Sequence, residues 1–204
     1  MKIIICVVGP LMTNCYLIEN EMTKEALIVD PGGNASRIAK TVTSRELVPV
    51  AILLTHAHND HFDAVEDLRK MYKDIPVYIG EYETELLADG TLNNPFGASV
   101  GLTADYTVKD GQIIELAGLT MKVIHTPGHT AGSVCYYFEN EKVLVAGDTL
   151  FFQSHGRTDL NTGSDEEMFQ SLERLLTTLP EDVLVLPGHG RKTTIGYEKA
   201  VEGF

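Results

Sequence analysis

The sequence predicts an α/β fold in which two β-sheets pack face to face and helices cover their outer faces. Three observations carry this expectation. The 204-residue chain divides into two halves, each a run of short β-like segments followed by helical periodicity. Hydrophobic residues make up 44% of it, enough for a continuous core that needs no disulfide or metal to hold it. The chemically distinctive residues also fall at the C-terminal ends of apolar runs, so stacking the sheets should gather them along one edge. Residues 1–204 are expected to form one domain.

The elements follow in order. KIIICVV (2–8), NCYLIEN (14–20) and EALIVD (25–30) read as strands, and the last runs into the turn-forming Asp30-Pro31-Gly32-Gly33. Ile38, Val42 and the Leu47/Val48 pair then recur near helical spacing after Asn34, a predicted N-cap. PVAILLT (49–55) is a buried strand that ends in a histidine cluster. Val65, Leu68 and Tyr72 share one face of a helix over 64–72, IPVYIG (75–80) is a strand, and EYETELLAD (81–89) is a helix. Residues 89–111 show no sustained periodicity and carry four glycines. A connection this long is expected to be a lid or binding loop, with Phe96 and Tyr106 as its apolar contacts.

In the second half, GQIIELAG (111–118) and LTMKVIHT (119–126) predict a hairpin turning at Ala117-Gly118. GSVCYYFEN (132–140) and EKVLVAGDT (141–149) predict another, turning at Asn140-Glu141. Met168, Leu172, Leu175, Leu176 and Leu179 form one apolar stripe on a helix over 165–179. A last strand, DVLVLPGHG (182–190), leads into KTTIGYEKAVEG.

Composition narrows the partners. Acidic residues number 29 against 16 basic, a formal charge of −13, which repels phosphate backbones and anionic lipid. Neither a nucleic acid nor a membrane is therefore an expected partner; a small molecule is. No apolar stretch reaches the roughly 18 residues of a membrane span. The N-terminal apolar run stops at Gly9-Pro10 without a cleavage site, so a cytoplasmic location is expected. Cys6, Cys15 and Cys135 are odd in number, lack CxxC spacing and lie in apolar runs, as buried free thiols do.

The chemistry is concentrated in four turns. These are His56-x-His58-x-Asp60-His61, Thr126-Pro-Gly-His129, Gly147-Asp148-Thr149 and Pro187-Gly-His189-Gly190. Together they offer five histidines and two aspartates. One zinc ion takes about four donors, so seven residues with a bridging carboxylate fit two metals rather than one. Side chains two apart share a face of extended chain, so His56 and His58 can chelate one ion while Asp60 and His61 reach a second. His125 and His155 lie outside the pattern and are not expected to ligate.

These motifs, with GPLMTNCYLI, DPGG, TPGHTAGS, GDTLF and GRTD, span nearly the whole chain. In them the chain resembles the metallo-β-lactamase superfamily, and within it the small glyoxalase II-like hydrolases. The resemblance implies an αββα four-layer sandwich with the site at one edge. It assigns His56, His58 and His129 to a first metal and Asp60, His61 and His189 to a second, with Asp148 bridging. Two divalent ions are implied, with zinc expected and iron or manganese as alternatives. Such a pair lowers a bridging water's pKa from bulk 15.7 towards ~7 and supplies a metal-bound hydroxide. Asp60 is the candidate catalytic residue that orients this water or takes its proton. Asp30 is a candidate partner of a ligand histidine. The implied substrate is a small thioester, S-lactoylglutathione or another thiol conjugate. Arg157 stands where that family has a basic substrate-binding residue, but Asp159 follows where a tyrosine is expected. Arg157 therefore either meets a substrate carboxylate or pairs with Asp159, and Phe96 is a further candidate substrate contact. Arg191 and Lys192 are exposed candidates beside His189. Two alternatives are a lactone hydrolase and a persulfide dioxygenase whose single iron would use only His56, His129 and Asp148.

Overall fold

The computed structural model describes residues 1–73, 75–94 and 100–202. Its first half builds a six-stranded sheet of β1 (Lys2–Val8), β2 (Thr13–Glu19), β3 (Glu25–Val29), β4 (Val48–Leu53), β5 (Val77–Gly80) and β6 (Tyr106–Val108), paired in that order. The first three strands meander antiparallel, and β3 to β6 run parallel. Parallel neighbours need crossovers. These pass through α1 (Ala35–Ser44), then α2 (Asn59–Phe62) with α3 (Val65–Met71), then a 3-10 turn (Glu81–Glu83) with α4 (Thr84–Ala88).

The second half contributes β7 (Ile113–Leu116), β8 (Leu119–His125), β9 (Val134–Phe138) and β10 (Val143–Gly147). A small ribbon of β11 (Leu150–Phe151) and β12 (Ser154–His155) follows, then α5 (Asp165–Thr178), β13 (Leu184–Pro187), β14 (Thr193–Thr194) and α6 (Ile195–Glu202). The second six-stranded sheet is ordered β14-β13-β10-β9-β8-β7.

The two-residue period of a strand sorts the core into layers. Tyr16, Ile18, Leu27, Val29 and Leu53 of the first sheet meet Met121, Val123, Tyr136, Phe138 and Val145 of the second. Their alternating neighbours Leu17, Ile28 and Ile52 pack under α1 and α3 with Ile38, Val65 and Leu68. Leu144, Ala146 and Val185 pack under α5 with Met168, Leu175 and Leu176. The result is the expected four-layer αββα sandwich. Among the described residues no helix is long and apolar enough to cross a membrane.

Both expected hairpins form. Ala117 and Gly118 carry φ of 54° and 63°, as the two central residues of a type I′ turn require. Elsewhere the structure corrects the sequence reading. Asn34 precedes α1 but is left-handed (φ 52°) and makes no side-chain cap; its Oδ1 instead accepts from Gly9 N at 2.9 Å. Leu47 and Val48 lie beyond α1, Leu47 buried and Val48 already in β4. The 89–111 stretch is not structureless, because Tyr106–Val108 add β6 to the sheet and Leu102 joins the core. Tyr106 stacks on Tyr78 at 4.8 Å rather than on the histidine cluster. Phe96 lies outside the described residues.

Candidate metal centre

The loops that leave β4, β8, β10 and β13 at their C-terminal ends converge on one edge of the sandwich. The chain leaves β4 through Leu54 and Thr55 into His56. His58, extended at φ −77° and ψ 140°, precedes the short helix α2, which carries Asp60 and His61. His129 stands between β8 and β9, Asp148 directly after β10, and His189 after β13. Gly188 has no alternative in this crowd, because a Cβ there would sit 2.1 Å from Asp148 Oδ1 and 2.8 Å from His61 Cε1.

Three donor sets result, each with its atoms within 4.8 Å of one another: His56/His58/His129, His56/His61/Asp148, and Asp60/His61/His189. Asp148 lies between the other two sets. Its Oδ1 is 3.4 Å from His61 Nε2, and its Oδ2 is 3.5 Å from both His129 Nε2 and His189 Nε2. All seven residues that the sequence singled out are thus brought together.

Hydrogen bonds set which imidazole nitrogen faces inward. His61 Nδ1 donates to Asp30 Oδ2 at 3.0 Å, His129 Nδ1 to the Arg157 carbonyl at 2.6 Å, and His189 Nδ1 to the Leu11 carbonyl at 3.1 Å. His56 Nδ1 donates to Thr55 Oγ1 at 3.1 Å, and that hydroxyl donates in turn to Asp30 Oδ2 at 2.7 Å. In these four rings Nε2 is the nitrogen turned towards the other donors. His58 instead turns Nδ1 towards His129 Nε2, 2.8 Å away, so both present nitrogen to the same place.

Charge is unevenly spread across the cluster. Burial and neighbouring histidines push His56 well below the usual imidazole range and His58 down to about 3. Burial is also the largest influence on His61, but Asp60, Asp148 and Asp30 outweigh it and hold that ring up at about 10. Burial would raise Asp60; His61, His189 and the Thr13 hydroxyl overcome it and hold the carboxylate well below its usual range. One side of the centre is therefore neutral imidazole and the other a carboxylate–imidazolium network.

Buried polar atoms without a partner test whether a metal fits. Among the described residues, Nε2 of His56, His58 and His61 and Asp148 Oδ1 are buried with no hydrogen bond. Leaving such atoms unsatisfied in one place is costly, and a divalent cation bound by nitrogen and carboxylate oxygen would satisfy those of His56, His61 and Asp148, which form one donor set; His58 faces the cluster with Nδ1 instead.

The remaining candidates fall around this core. Asp30, with φ at 50°, is buried and accepts from Thr55 N (2.8 Å) as well as from His61 and Thr55 Oγ1. A cleft of about 200 Å³ opens beside the centre, with Leu11, Phe151 and Leu160 as apolar wall and Arg157 at its rim. Arg157 makes two 2.7 Å bonds to Asp159, both residues being exposed. Arg191 instead lies 3.3 Å over the Phe152 ring. His125 and His155 bond to the Ala131 and Gly156 carbonyls and join no donor set. Thr13 and Asn14 went unassigned in the sequence. Thr13 Oγ1 donates to Asp60 Oδ2 at 2.9 Å, and Asn14 Nδ2 holds the His189 turn through the Pro187 (3.0 Å) and Gly190 (2.9 Å) carbonyls. Their only signal was the β2 motif TNCYLI, where an Asn among apolar residues asks for a buried partner.

A sequence model of the metallo-β-lactamase superfamily matches residues 8–189, which takes in every donor named above. The chain belongs to the metallo-β-lactamase superfamily. Within it, the chain is 38% identical over 193 residues to a probable metallo-hydrolase, YqgX, of Bacillus subtilis, covering 92% of this chain and 90% of that one. It is 32% identical over 209 residues to the hydroxyacylglutathione hydrolase GloC of Haemophilus influenzae, covering 100% and 98%. Two solved structures are also similar. The BLEG-1 B3 metallo-β-lactamase superposes with a TM-score of 0.91 at 40% identity, covering 98% of this chain and 97% of that one. TTHA1623 in a di-iron-bound form superposes at 0.86 with 33% identity, covering 97% and 98%. Membership in the superfamily and the His/Asp cluster together make this chain a metal-dependent hydrolase.

Proposed function

We propose that the chain is a two-metal hydrolase of small thioesters, S-lactoylglutathione or a related thiol conjugate. The observation that carries this reading is the position of Asp148, one oxygen towards His61 and the other towards His129 and His189, between two separate donor triads. His56, His58 and His129 would hold the first ion, Asp60, His61 and His189 the second, and Asp148 would bridge them. Zinc suits this nitrogen and carboxylate donor set, and the di-iron form of TTHA1623 makes iron the next choice. Such ions, when bound, supply Lewis acidity and a water acidic enough to ionise near neutral pH.

The chain's own residues do the rest. Asp60, its Oδ2 fixed by the Thr13 hydroxyl, is the acceptor that orients the attacking water. Leu11, Phe151 and Leu160 shield the acyl group from bulk water in a cleft that admits only a small one. Arg157 takes an anionic group of the substrate at the rim, in exchange for Asp159. A thiolate is a good leaving group and departs without needing a protonated side chain. The name of the GloC relative supports the choice of a glutathione thioester. Three buried, unpaired cysteines fit work in a reducing, cytoplasmic setting.

Turnover decides between this reading and its rivals. Zinc-reconstituted protein is expected to release thiol from S-lactoylglutathione faster than it opens lactones. Persulfide-dependent oxygen uptake by an iron-loaded form, without thioester hydrolysis, would overturn the proposal.

A further inference from the structure

Glu83 is a carboxylate that the metal assignment does not use, yet it is only 1% exposed. It ends the 3-10 turn after β5. Its Oε2 accepts from Ala57 N at 2.7 Å, and its Oε1 accepts from Gly132 N at 2.8 Å. Thr130 adds a side-chain hydrogen bond. Ala57 lies between His56 and His58, while Thr130 and Gly132 follow His129 in its loop.

One side chain therefore ties together two segments that come from different sheets. The His56–His58 segment leaves β4 of the first sheet, and the His129 loop joins β8 to β9 of the second. The fit is close at both ends of the turn. A Cβ on Gly132 would lie 2.6 Å from Glu83 N and 2.8 Å from Glu83 Cγ, and one on Gly80 would lie 2.4 Å from the Gly132 carbonyl oxygen. Burial pushes this carboxyl up to about 7 despite its hydrogen bonds, so it is an expensive group to place in a core. Packing alone would be served better by an apolar side chain.

We propose that Glu83 is a positioning residue that fixes the His56/His58 pair relative to His129 and so sets the affinity of the first of the two ions. This rests on the ligand assignment proposed above. Its partners lie on the segments of the first triad, so the effect of removing it should be confined to that triad. A residue that merely stabilised the fold would weaken both ions alike.

The test measures Zn²⁺ affinity by competition with a chromophoric chelator, in two single-site backgrounds. His189→Ala leaves the first triad, and His58→Ala leaves the second. Glu83→Gln keeps one acceptor oxygen and loses the other. It is expected to weaken Zn²⁺ about tenfold or more in the His189→Ala background, the scale of outer partners of metal ligands, and less than about twofold in the other. Equal weakening in both backgrounds, or none in the first, overturns the positioning role. If His189→Ala protein alone retains no ion, the two-site reading fails, whatever Glu83 does. Should circular dichroism show Glu83→Gln unfolded, Glu83→Asp carries the same test, since it keeps the charge but is too short to span both N–H groups.

Discussion

Asp30 reaches histidines on both sides of the centre. It accepts from His61 directly and, through the Thr55 hydroxyl, orders His56. Asp30→Asn puts an amide where three donors converge, so one must lose its acceptor. It is expected to weaken both ions by roughly 10- to 100-fold, read by chelator competition, in contrast to the one-sided effect of Glu83. His61 gives a second expectation, in protons. Its imidazole is held up at about 10, so at pH 7.5 the metal-free protein carries a proton there that an ion must displace. Zinc loading should then release at least one proton at pH 7.5, measured calorimetrically in buffers of different ionisation enthalpy, and the share that comes from His61 should fall away as pH rises through 10. The stabilisation that His61 gives the metal-free protein is complete below the unfolded value of about 6.5 and lost as pH rises through 10. At this scale the clustering of the seven candidate donors was legible in the sequence, because they recur in short turn motifs at the C-terminal ends of apolar runs. Thr13, Thr55 and Glu83 were not, since hydroxyls and carboxylates that bond to neighbouring loops leave no spacing in one dimension.

At the scale of elements, α5 shows what periodicity reveals. Met168, Leu172, Leu175 and Leu176 form the buried face the sequence predicted, while Leu179 lies past the helix end as an extended, half-buried C-cap; Ser164 caps the other end by accepting from Glu167 N at 3.3 Å. Leu175 is fully buried beneath the second sheet, away from the donors. Leu175→Ala is expected to cost about 2–5 kcal/mol in urea unfolding while leaving metal content unchanged. Loss of the ions with it would mean that the outer helix layer shapes the site. The strands missed were the shortest, and α6 was left unassigned as well. β6 has three residues and β11, β12 and β14 two each, too few to establish a two-residue period. Asn34 failed as a side-chain cap because a distant amide, Gly9 N, claimed its oxygen.

For the whole molecule, the sandwich brings the loops of two sheets to one edge, and the donors divide between them. His56, His58, Asp60 and His61 follow the first sheet's β4, while His129, Asp148 and His189 follow strands of the second. The stacking was legible because each half reads as β-like runs followed by helical periodicity, with the distinctive residues at the C-terminal ends of apolar runs. The substrate was less so, because it is set by the cleft wall and the Arg157–Asp159 pair, where two neighbouring side chains compete for one role. The central claim is a two-ion centre bridged by Asp148, and native mass spectrometry of zinc-reconstituted protein tests it most directly. Wild type is expected to carry two ions per chain, His189→Ala one, and Asp148→Ala to lose occupancy of both. A single ion in the wild type, or equal losses from the two variants, would contradict it.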